Sequence, residues 1–219
     1  MNILINRLEN NDPDLTFLYC WQNDEQFNVV RVVDALANNT VVTRIDLTDN
    51  AIGVDGANAI ARTLEENATL KEVYLGNNNI GDDGAGAILR GIQENQNSVL
   101  KFLDLSNNMI GHVGAVAIAQ VLGTNVPLNG LDLSDNVGIG DEGFSAIAQA
   151  LETNTNLKDL QVRRSAIGDV GASCFAQTLQ TNTSLNRISL RGNVFGTESE
   201  AAIIQAVQIH PETFVTLDL

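Results

Sequence analysis

Residues 103–111 read LDLSNNMIG, and residues 131–136 read LDLSDN. Each stretch places two leucines at alternating positions and an asparagine three residues after the second leucine. Moving outward in both directions, the pattern returns every 27 to 30 residues. The second apolar residue of the pair aligns at Cys20, Leu47, Leu75, Leu105, Leu133, Val162, Leu190 and Leu219. A fixed period of this length over eight turns is the signature of a repeat architecture.

Each turn predicts one strand followed by one helix. The alternating pair is too short for a helix and has the period of a half-buried strand. Ile110-Gly111, a second glycine at Gly114, and the Asp or Glu beside most equivalent glycines suit a turn that enters a helix. Apolar pairs four residues apart, such as Ile118 and Leu122, lie on one helical face. The helices are predicted to end near Asn67, Asn95, Asn125, Asn154 and Asn182.

A strand and a helix in constant order require parallel strands. Because no turn can bury its own apolar face, neighbouring turns must stack. We therefore predict an α/β fold, a right-handed solenoid with a parallel β-sheet on the concave face and α-helices on the convex face. It forms a single domain over residues 1–219. Residues 1–41 form a degenerate N-terminal turn or cap, 42–213 form six repeats, and 214–219 form a terminal strand.

The stretches 103–111 and 131–136 resemble the leucine-rich repeat family, specifically its ribonuclease-inhibitor-like type. The resemblance covers roughly residues 13–219 and implies a horseshoe with full helices outside. It also implies an interior ladder of asparagines that bond backbone groups of adjacent turns, as buried polar side chains require. The ladder positions are Asn50, Asn78, Asn108, Asn136 and Asn193. Ser165 replaces the asparagine in one turn, which we predict to be a local weak point.

The formal net charge is −15. This charge argues against nucleic acid and against anionic membrane surfaces, and it favours a partner with a cationic patch. No apolar run approaches the roughly 20 residues that span a bilayer, and the first ten residues lack a secretory apolar segment. Cys20 and Cys174 occupy repeat positions, so we expect reduced core thiols and a cytoplasmic location.

Residues 138–143, GIGDEG, spell the GxGxxG pattern of dinucleotide-binding turns. Two of these glycines are the ones that recur in other repeats, so we expect no cofactor. His112 and His210 are the only histidines and have no Cys, Asp or Glu at ligand spacing. We therefore expect no metal site, no catalytic triad and no enzymatic activity. Asn-x-Ser/Thr strings at Asn38, Asn67 and Asn182 are interpreted as structural features of the repeat.

Side chains between the strand leucines point out of the concave sheet, so they are the candidate partner-binding residues. The set is Phe17, Tyr19, Trp21, Arg44, Asp46, Glu72, Tyr74, Phe102, Asp104, Asp132, Asp159, Arg163, Arg164, Arg187 and Arg191. Aromatic residues and arginines dominate binding hot spots. Two plainer explanations stay open: an aspartate between the leucines is ordinary in this repeat type, and the aromatic residues of the first turn would suit an N-terminal cap.

These features predict a scaffold that binds a partner protein on its concave face. One alternative is a regulator of an enzyme, such as a GTPase-activating or inhibitor protein, since the family includes both. Another is a secreted bacterial effector in the host cytosol, because the Asn-rich, Lys-poor composition is similar to such proteins. The last strand exposes an edge. Either the chain is part of a longer protein, or a partner or a second copy covers that edge.

Overall fold

The computed structural model describes residues 2–20, 28–209 and 216–219. In these ranges eight strands alternate with eight helices. The strands are β1 (Phe17–Tyr19), β2 (Arg44–Asp46), β3 (Glu72–Tyr74), β4 (Phe102–Asp104), β5 (Gly130–Asp132), β6 (Asp159–Gln161), β7 (Arg187–Ser189) and β8 (Thr216–Asp218). The helices are α1 (Asn2–Glu9), α2 (Val29–Leu36), α3 (Gly53–Glu66), α4 (Gly81–Glu94), α5 (His112–Leu122), α6 (Gly140–Leu151), α7 (Asp169–Thr178) and α8 (Thr197–Val207).

The strands form one parallel sheet in chain order, from β1 to β8. Equivalent residues of successive turns lie opposite each other; Leu103, for example, pairs with Val73 on one side and Leu131 on the other. Because every crossover passes through a helix, the helices stack in a second layer outside the sheet. This confirms the predicted α/β solenoid with a concave parallel sheet and convex helices.

The core lies between the two layers. The middle residue of each strand from β1 to β7 is buried, and in β4 and β5 Leu103 and Leu131 are fully enclosed. They pack against apolar helix residues such as Ile118, and the buried rings of Phe144 and Phe175 lie 5.3 Å apart between adjacent helices. Burying one such side chain contributes about 1.5–3 kcal/mol, so the repeated leucines account for most of the driving force.

Small residues set the distance between neighbouring helices. A Cβ added at Gly91 would lie 3.0 Å from the carbonyl carbon of Ala61 and even closer to its oxygen. At Gly143 an added Cβ would lie 2.8 Å from Ala115 Cβ. These glycines are required by close packing, since any side chain would separate the helices. This accounts for Gly143 in the GxGxxG pattern without a nucleotide.

The asparagine ladder runs through the interior. Asn108 Oδ1 accepts hydrogen bonds from the backbone N–H groups of Asn78 (2.9 Å) and Ile80 (3.3 Å). Its Nδ2 donates to the carbonyl oxygens of Leu75 (2.8 Å) and Ser106 (3.0 Å). The side-chain amides of Asn78, Asn136 and Asn193 make equivalent donor and acceptor bonds, and Asn50 Nδ2 donates to the carbonyl oxygen of Cys20 (2.9 Å). Each amide therefore joins two turns and satisfies backbone groups that would otherwise be buried without partners.

Ser165 fills its ladder position only in part. Its hydroxyl donates toward the carbonyl oxygens of Arg163 (3.1 Å) and Leu133 (3.4 Å), which replaces the amide donor. A serine has no amide oxygen to reach the N–H of Asn136, the bond that Asn108 makes with Asn78 in the turn pair before. The weak point predicted at Ser165 thus has a specific form, a missing acceptor between two turns.

A second asparagine column lies where the helices lead back to the sheet. Asn67 Nδ2 donates to the carbonyl oxygens of Leu36 (2.6 Å) and Asn39 (3.1 Å), and its Oδ1 accepts from two N–H groups of its own loop. The buried members are Asn39, Asn67, Asn95, Asn154 and Asn182. Because the amides of Asn67 and Asn182 are enclosed and hydrogen-bonded, their Asn-x-Ser/Thr strings are structural in the folded chain.

The predicted helix ends are right for α3 and α4 and late for α5, α6 and α7. Asn67 and Asn95 directly follow α3 and α4, whereas α5 ends at Leu122 and is followed by Gly123 and a turn. Asn125 is exposed with a φ of 59°, so this asparagine lies in the loop and outside the buried column. Periodicity predicted the column but not how many residues of loop precede it.

Aspartates join the helix starts of adjacent turns. Asp141, in the first turn of α6, accepts from the backbone N–H groups of Gly168 (2.7 Å) and Gly171 (2.8 Å), at the start of α7. Asp169 does the same for Gly196 (2.8 Å) before α8. Asp141 and Asp169, expected to suit the starts of their own helices, therefore cap the helix of the next turn.

Candidate protein-binding surface

The concave face consists of two rows of outward side chains, set by the strand register. The first row takes the first residue of each strand: Phe17, Arg44, Glu72, Phe102, Gly130, Asp159, Arg187 and Thr216. The second row takes the third residue: Tyr19, Asp46, Tyr74, Asp104, Asp132, Gln161, Ser189 and Asp218. Neighbours within a row are about 4.8 Å apart, the spacing of paired strands, so each row is a continuous surface.

Aromatic rings and one arginine gather on β1 to β4. The guanidinium of Arg44 lies 5.1 Å from the ring centroid of Phe17 and 4.5 Å from that of Tyr74. Tyr74 in turn stacks at 5.2 Å on Phe102, and Phe17 lies 6.4 Å from Tyr19. We call these five residues the aromatic cluster. Cation–π contacts of this kind contribute about 0.5–1 kcal/mol each at exposed sites and fix the orientation of the rings.

Glu72 and Gly130 hold the aromatic cluster in place. The Tyr74 hydroxyl donates to Glu72 Oε2 (3.0 Å), and Arg44 pairs with the same oxygen (3.4 Å). Burial, followed by this hydrogen bond, raises the pKa of Tyr74, which therefore stays a neutral phenol. The Phe102 ring lies over Gly130, where an added Cβ would lie 2.6 Å from Phe102 Cδ2. The glycine thus gives the ring room to lie against the sheet.

Phe17 and Tyr19 lie on the surface and not in the core. Phe17 is 47% and Tyr19 49% exposed, and both point to the concave side of β1. Trp21, the third aromatic residue predicted in this turn, lies outside the described residues. Two of the three aromatic residues predicted in this turn are therefore half exposed on the concave side.

The second-row aspartates have a structural role in common. Asp46, Asp104 and Asp132 each accept, through Oδ1, from the backbone N–H two residues later, at 3.1, 2.8 and 2.8 Å. These bonds close the turn after the strand, which explains why an aspartate suits this place in the repeat. Asp132 also pairs with Arg163 (3.5 Å). Asp46 and Asp104 have no ion pair among the described residues.

Asp104 lies at the centre of a negative field. Burial raises the pKa of its carboxyl, the hydrogen bonds from Ser106 lower it, and the nearby carboxylates of Asp132 and Asp46 raise it further; the net direction is upward. A carboxylate that is hard to ionise here attracts a cation strongly, because a positive charge would relieve both the desolvation and the repulsion. In the row Asp46–Tyr74–Asp104, the aromatic ring on β3 thus lies between two carboxylates, one on β2 and one on β4.

Three of the four predicted arginines in the C-terminal half are paired with acids of the preceding turn. Arg164 makes two bonds to the Asp135 carboxylate (2.5 and 2.7 Å), which lower the pKa of Asp135. Arg187 lies 3.6 Å from Asp159. Burial raises the pKa of Asp159 and Arg187 opposes that shift. Arg163 pairs with Asp132, as above. The Arg191 side chain is exposed and has no hydrogen-bond or ion-pair partner in the described chain. The C-terminal half is therefore a mixed-charge surface.

No group of three or more possible metal ligands occurs among the residues that the structure describes. Within those same ranges, no helix is long and apolar enough to cross a membrane. The glycines of residues 138–143 have structural roles: Gly138 bridges to Gly111, Gly140 has a φ of +54° at the entry to α6, and Gly143 packs on α5. These roles agree with the structural interpretation of the GxGxxG pattern.

A leucine-rich repeat family model matches residues 38–61, 66–89, 96–119, 124–148 and 153–176, which is more than half of the chain. The chain belongs to the leucine-rich repeat family. Leucine-rich repeat proteins are in general non-enzymatic binding scaffolds, and protein–protein interaction is the function that the family indicates. Among curated proteins, none matches the sequence.

Solved structures similar to this leucine-rich repeat chain include LegL7 from Legionella pneumophila, a leucine-rich repeat-containing protein. It is 19% identical over 97% of this chain and 68% of its own, with a TM-score of 0.61. The tropomodulin C-terminal domain of Caenorhabditis elegans is 15% identical, covering 96% and 93%, with a TM-score of 0.48. Leiomodin-1 actin-binding site 2 is 19% identical, covering 96% and 89%, with a TM-score of 0.35. At these identities the likeness to LegL7 supports the fold alone.

Sequence reasoning located the rows but missed the contacts within them. The pairs Arg44–Glu72 and Arg187–Asp159 lie directly opposite in the register, so an alignment of the turns contains that signal. The stacking of Arg44 between two rings and the position of Phe102 over Gly130 depend on side-chain conformations, which the alignment does not contain. The mixed charge of the C-terminal half follows from these pairs.

Proposed function

We propose that this chain is a non-enzymatic scaffold that binds a partner protein through its concave face. The row Asp46–Tyr74–Asp104 would receive a lysine or arginine of the partner. The observation that carries the proposal is this row itself. Its two carboxylates have no ion pair among the described residues, and they lie on either side of a half-buried aromatic ring. The rest of the concave face supplies anchors and orientation.

The charges of the row support a cationic guest. One oxygen of each aspartate accepts a hydrogen bond from a backbone N–H, which fixes the carboxylate on the concave row. A guest cation would contact fixed charges that need no reorganisation, and it would offset the repulsion that raises the pKa of Asp104. The net charge of −15 would attract such a partner from a distance and make association sensitive to salt.

The aromatic cluster supports an apolar contact beside the charged one. Phe17 and Tyr19 are half exposed, and Tyr74 and Phe102 are partly exposed, so a partner side chain would desolvate them on binding. Residues of this type carry much of the energy of protein interfaces. Because the cluster is already ordered by Arg44 and Glu72, binding loses little side-chain entropy there.

We place the protein in the cytoplasm, or in the host cytosol if it is a secreted effector. Support comes from the two cysteines, which are both free thiols in the fold. Burial raises the pKa of the Cys20 thiol to about 11, so it remains protonated and acts as a core residue. Fractionation of the source cell, with detection of the native protein, would test this location.

Affinity capture with matched variants tests the proposed function. Asp46→Asn/Asp104→Asn removes the two charges, keeps an oxygen for the backbone N–H groups, and preserves side-chain size. Arg62→Ala/Gln149→Ala changes exposed residues on the convex helices α3 and α6 and serves as the control. Proteins retained by the wild type and the convex variant, but lost from the concave variant, are the expected partners. Identical retention by all three would refute binding at this row.

A further inference from the structure

A row of large apolar side chains lies exposed at the edge of the solenoid where strands lead into helices. Met109, Val137 and Val194 are 74%, 71% and 72% exposed, and each directly follows a ladder asparagine. Val113 and Val170, at the starts of α5 and α7, are exposed beside them. We call these five residues the apolar rim. Isolated exposed valines are ordinary, but a repeated row on one edge is not.

The rim crosses four adjacent turns, with the exposed Ala166 at the position between Val137 and Val194. Gly111 and Gly138 form a parallel bridge, which brings the loop of Met109 next to that of Val137. The N–H of Val194 donates to the carbonyl oxygen of Ile167 (2.8 Å), so the loop of Val194 lies against that of Ala166. Met109 to Val194 spans three strand steps, roughly 15 Å at about 4.8 Å a step.

On the helix side of the rim the charges all have one sign, and on the strand side Arg164 is paired with Asp135. Three positions of each turn border the helix side: the residue after the ladder position and the two residues after the Ile-Gly or Phe-Gly pair. In the six turns from Ala51 to Glu198, none of these positions holds a lysine or an arginine. The exposed acids there are Asp55, Asp83, Glu142, Asp169 and Glu198. Acids near a helix N-terminus stabilise the helix, so their presence alone needs no partner. The apolar residues between them have no such structural explanation.

The backbone conformation at Met109 is a second observation that favours a docking surface at the rim. Met109 has a φ of 59°, close to those of the equivalent residues Ala51 (48°), Asn79 (55°) and Ala166 (56°). Asparagine tolerates this left-handed conformation, whereas a large apolar side chain with no local hydrogen bond is uncommon there. At Met109 the chain therefore holds a large apolar side chain where both the backbone and the solvent favour a small or polar residue.

We propose that the apolar rim is a second docking surface, distinct from the concave face, that binds a cationic amphipathic helix of a partner protein. The apolar stripe of the partner helix would cover Met109, Val137 and Val194. The lysines or arginines of that helix would face Glu142, Asp169 and Glu198. A helix of about 14 residues is ~21 Å long and covers the rim. The binding mode is a helix laid on a hydrophobic surface with complementary charge at its borders.

A synthetic peptide tests this proposal. The probe is a helical peptide of about 14 residues with leucines on one face and lysines beside them, measured by fluorescence anisotropy. The variant Met109→Asn/Val137→Asn/Val194→Asn is expected to weaken binding by about tenfold or more, with an unchanged or higher thermal midpoint. The control Ile3→Asn/Ile209→Asn changes exposed apolar residues elsewhere and should bind like the wild type.

Four results would overturn the rim proposal. Equal loss of binding in the control variant would show a nonspecific apolar interaction, and equal binding of a peptide with glutamates for lysines would exclude the charge argument. A concentration-dependent dimer that the triple variant abolishes would assign the rim to a second copy. Asp104→Asn distinguishes the two surfaces: if it removes peptide binding while the triple variant does not, the rim proposal fails and the concave one stands.

Discussion

At the scale of single residues, buried amides join the turns. The Asn108 side chain makes four hydrogen bonds: three connect its own turn to the one before, and the fourth, to the Ser106 carbonyl, closes its own loop. The cost of losing such a side chain is set by the partners it leaves behind, because a buried N–H or carbonyl without a partner costs about 1–3 kcal/mol.

Asn108→Ala should therefore lower the free energy of unfolding by on the order of 3–5 kcal/mol. The neighbouring exposed Asn107, which has a φ of 51° and donates a side-chain hydrogen bond to Asn77 Oδ1 (3.0 Å), is the control as Asn107→Gly, since glycine keeps the backbone conformation. Urea unfolding followed by circular dichroism gives both values. Similar losses in the two variants would contradict the role assigned to the ladder.

For Asp104 we predict the opposite effect on stability, because its replacement should stabilise the folded chain. Its raised pKa means that the folded chain binds this proton more tightly than the unfolded chain does. Its contribution to stability is therefore a cost at neutral pH that is relieved as the pH falls through the raised pKa, above the ordinary value of 3.8. Asp104→Asn should stabilise the protein at pH 7 by on the order of 0.5 kcal/mol and weaken a cationic partner.

Asp169 has a pKa shifted in the opposite direction from that of Asp104, so we predict the opposite dependence of stability on pH. The N–H of Gly196, followed by the hydroxyl of Ser199, lowers the pKa of Asp169, so its stabilisation is present above pH 3.8 and lost as the pH falls. Asp169→Asn should destabilise the chain at pH 7 and have little effect in acid. Thermal midpoints of both variants between pH 3 and 7 check the two signs; equal shifts of one sign would refute the assignment.

At the scale of elements, the helix layer depends on close backbone approach. Gly91 on α4 faces the carbonyl group of Ala61 on α3 with no room for a methyl group. Gly123, after α5, has ordinary distances of 3.5 and 3.6 Å around an added Cβ.

Gly91→Ala should cost about 1–3 kcal/mol, since overpacking forces the two helices apart. Gly123→Ala should change stability by no more than about 0.5 kcal/mol. Differential scanning calorimetry of the two variants measures the difference. A Gly91→Ala protein as stable as the wild type would mean that α3 and α4 adjust without strain.

Sequence alone predicted the order and type of every described element from β1 to β8, because the leucine spacing determines the register that the sheet shows. The ends of α5, α6 and α7 were predicted late, since loop length leaves no periodic signal. The caps that Asp141 and Asp169 provide for the next helix were also missed, because a local pattern cannot show a bond between residues about 27 to 30 positions apart.

At the scale of the whole molecule, charge and shape act together. The concave rows carry an aromatic half and a half in which arginines and acids are paired, within a chain of net charge −15. Sequence predicted which side chains point to the concave face, but not that Arg163, Arg164 and Arg187 are engaged with neighbouring acids. Arg191 is therefore the arginine best placed to contact an acidic group of a partner.

Salt dependence follows from this distribution. For a cationic partner, the association rate should fall by about tenfold or more between low and physiological ionic strength, because the attraction acts beyond contact distance. The dissociation rate should change little, since it depends on contacts already desolvated. Surface plasmon resonance over a range of salt gives both rates. A salt effect confined to dissociation would contradict long-range attraction.

The most direct test of the concave-face account is the affinity of a captured partner for two double variants. Tyr74→Ala/Phe102→Ala removes the central rings, and Arg62→Ala/Gln149→Ala changes the convex helices. Isothermal titration calorimetry should show a loss of about 100-fold for the first, as expected of two hot-spot side chains, and wild-type affinity for the second. Wild-type affinity for the concave variant, or an equal loss for the convex one, would contradict binding at the concave face.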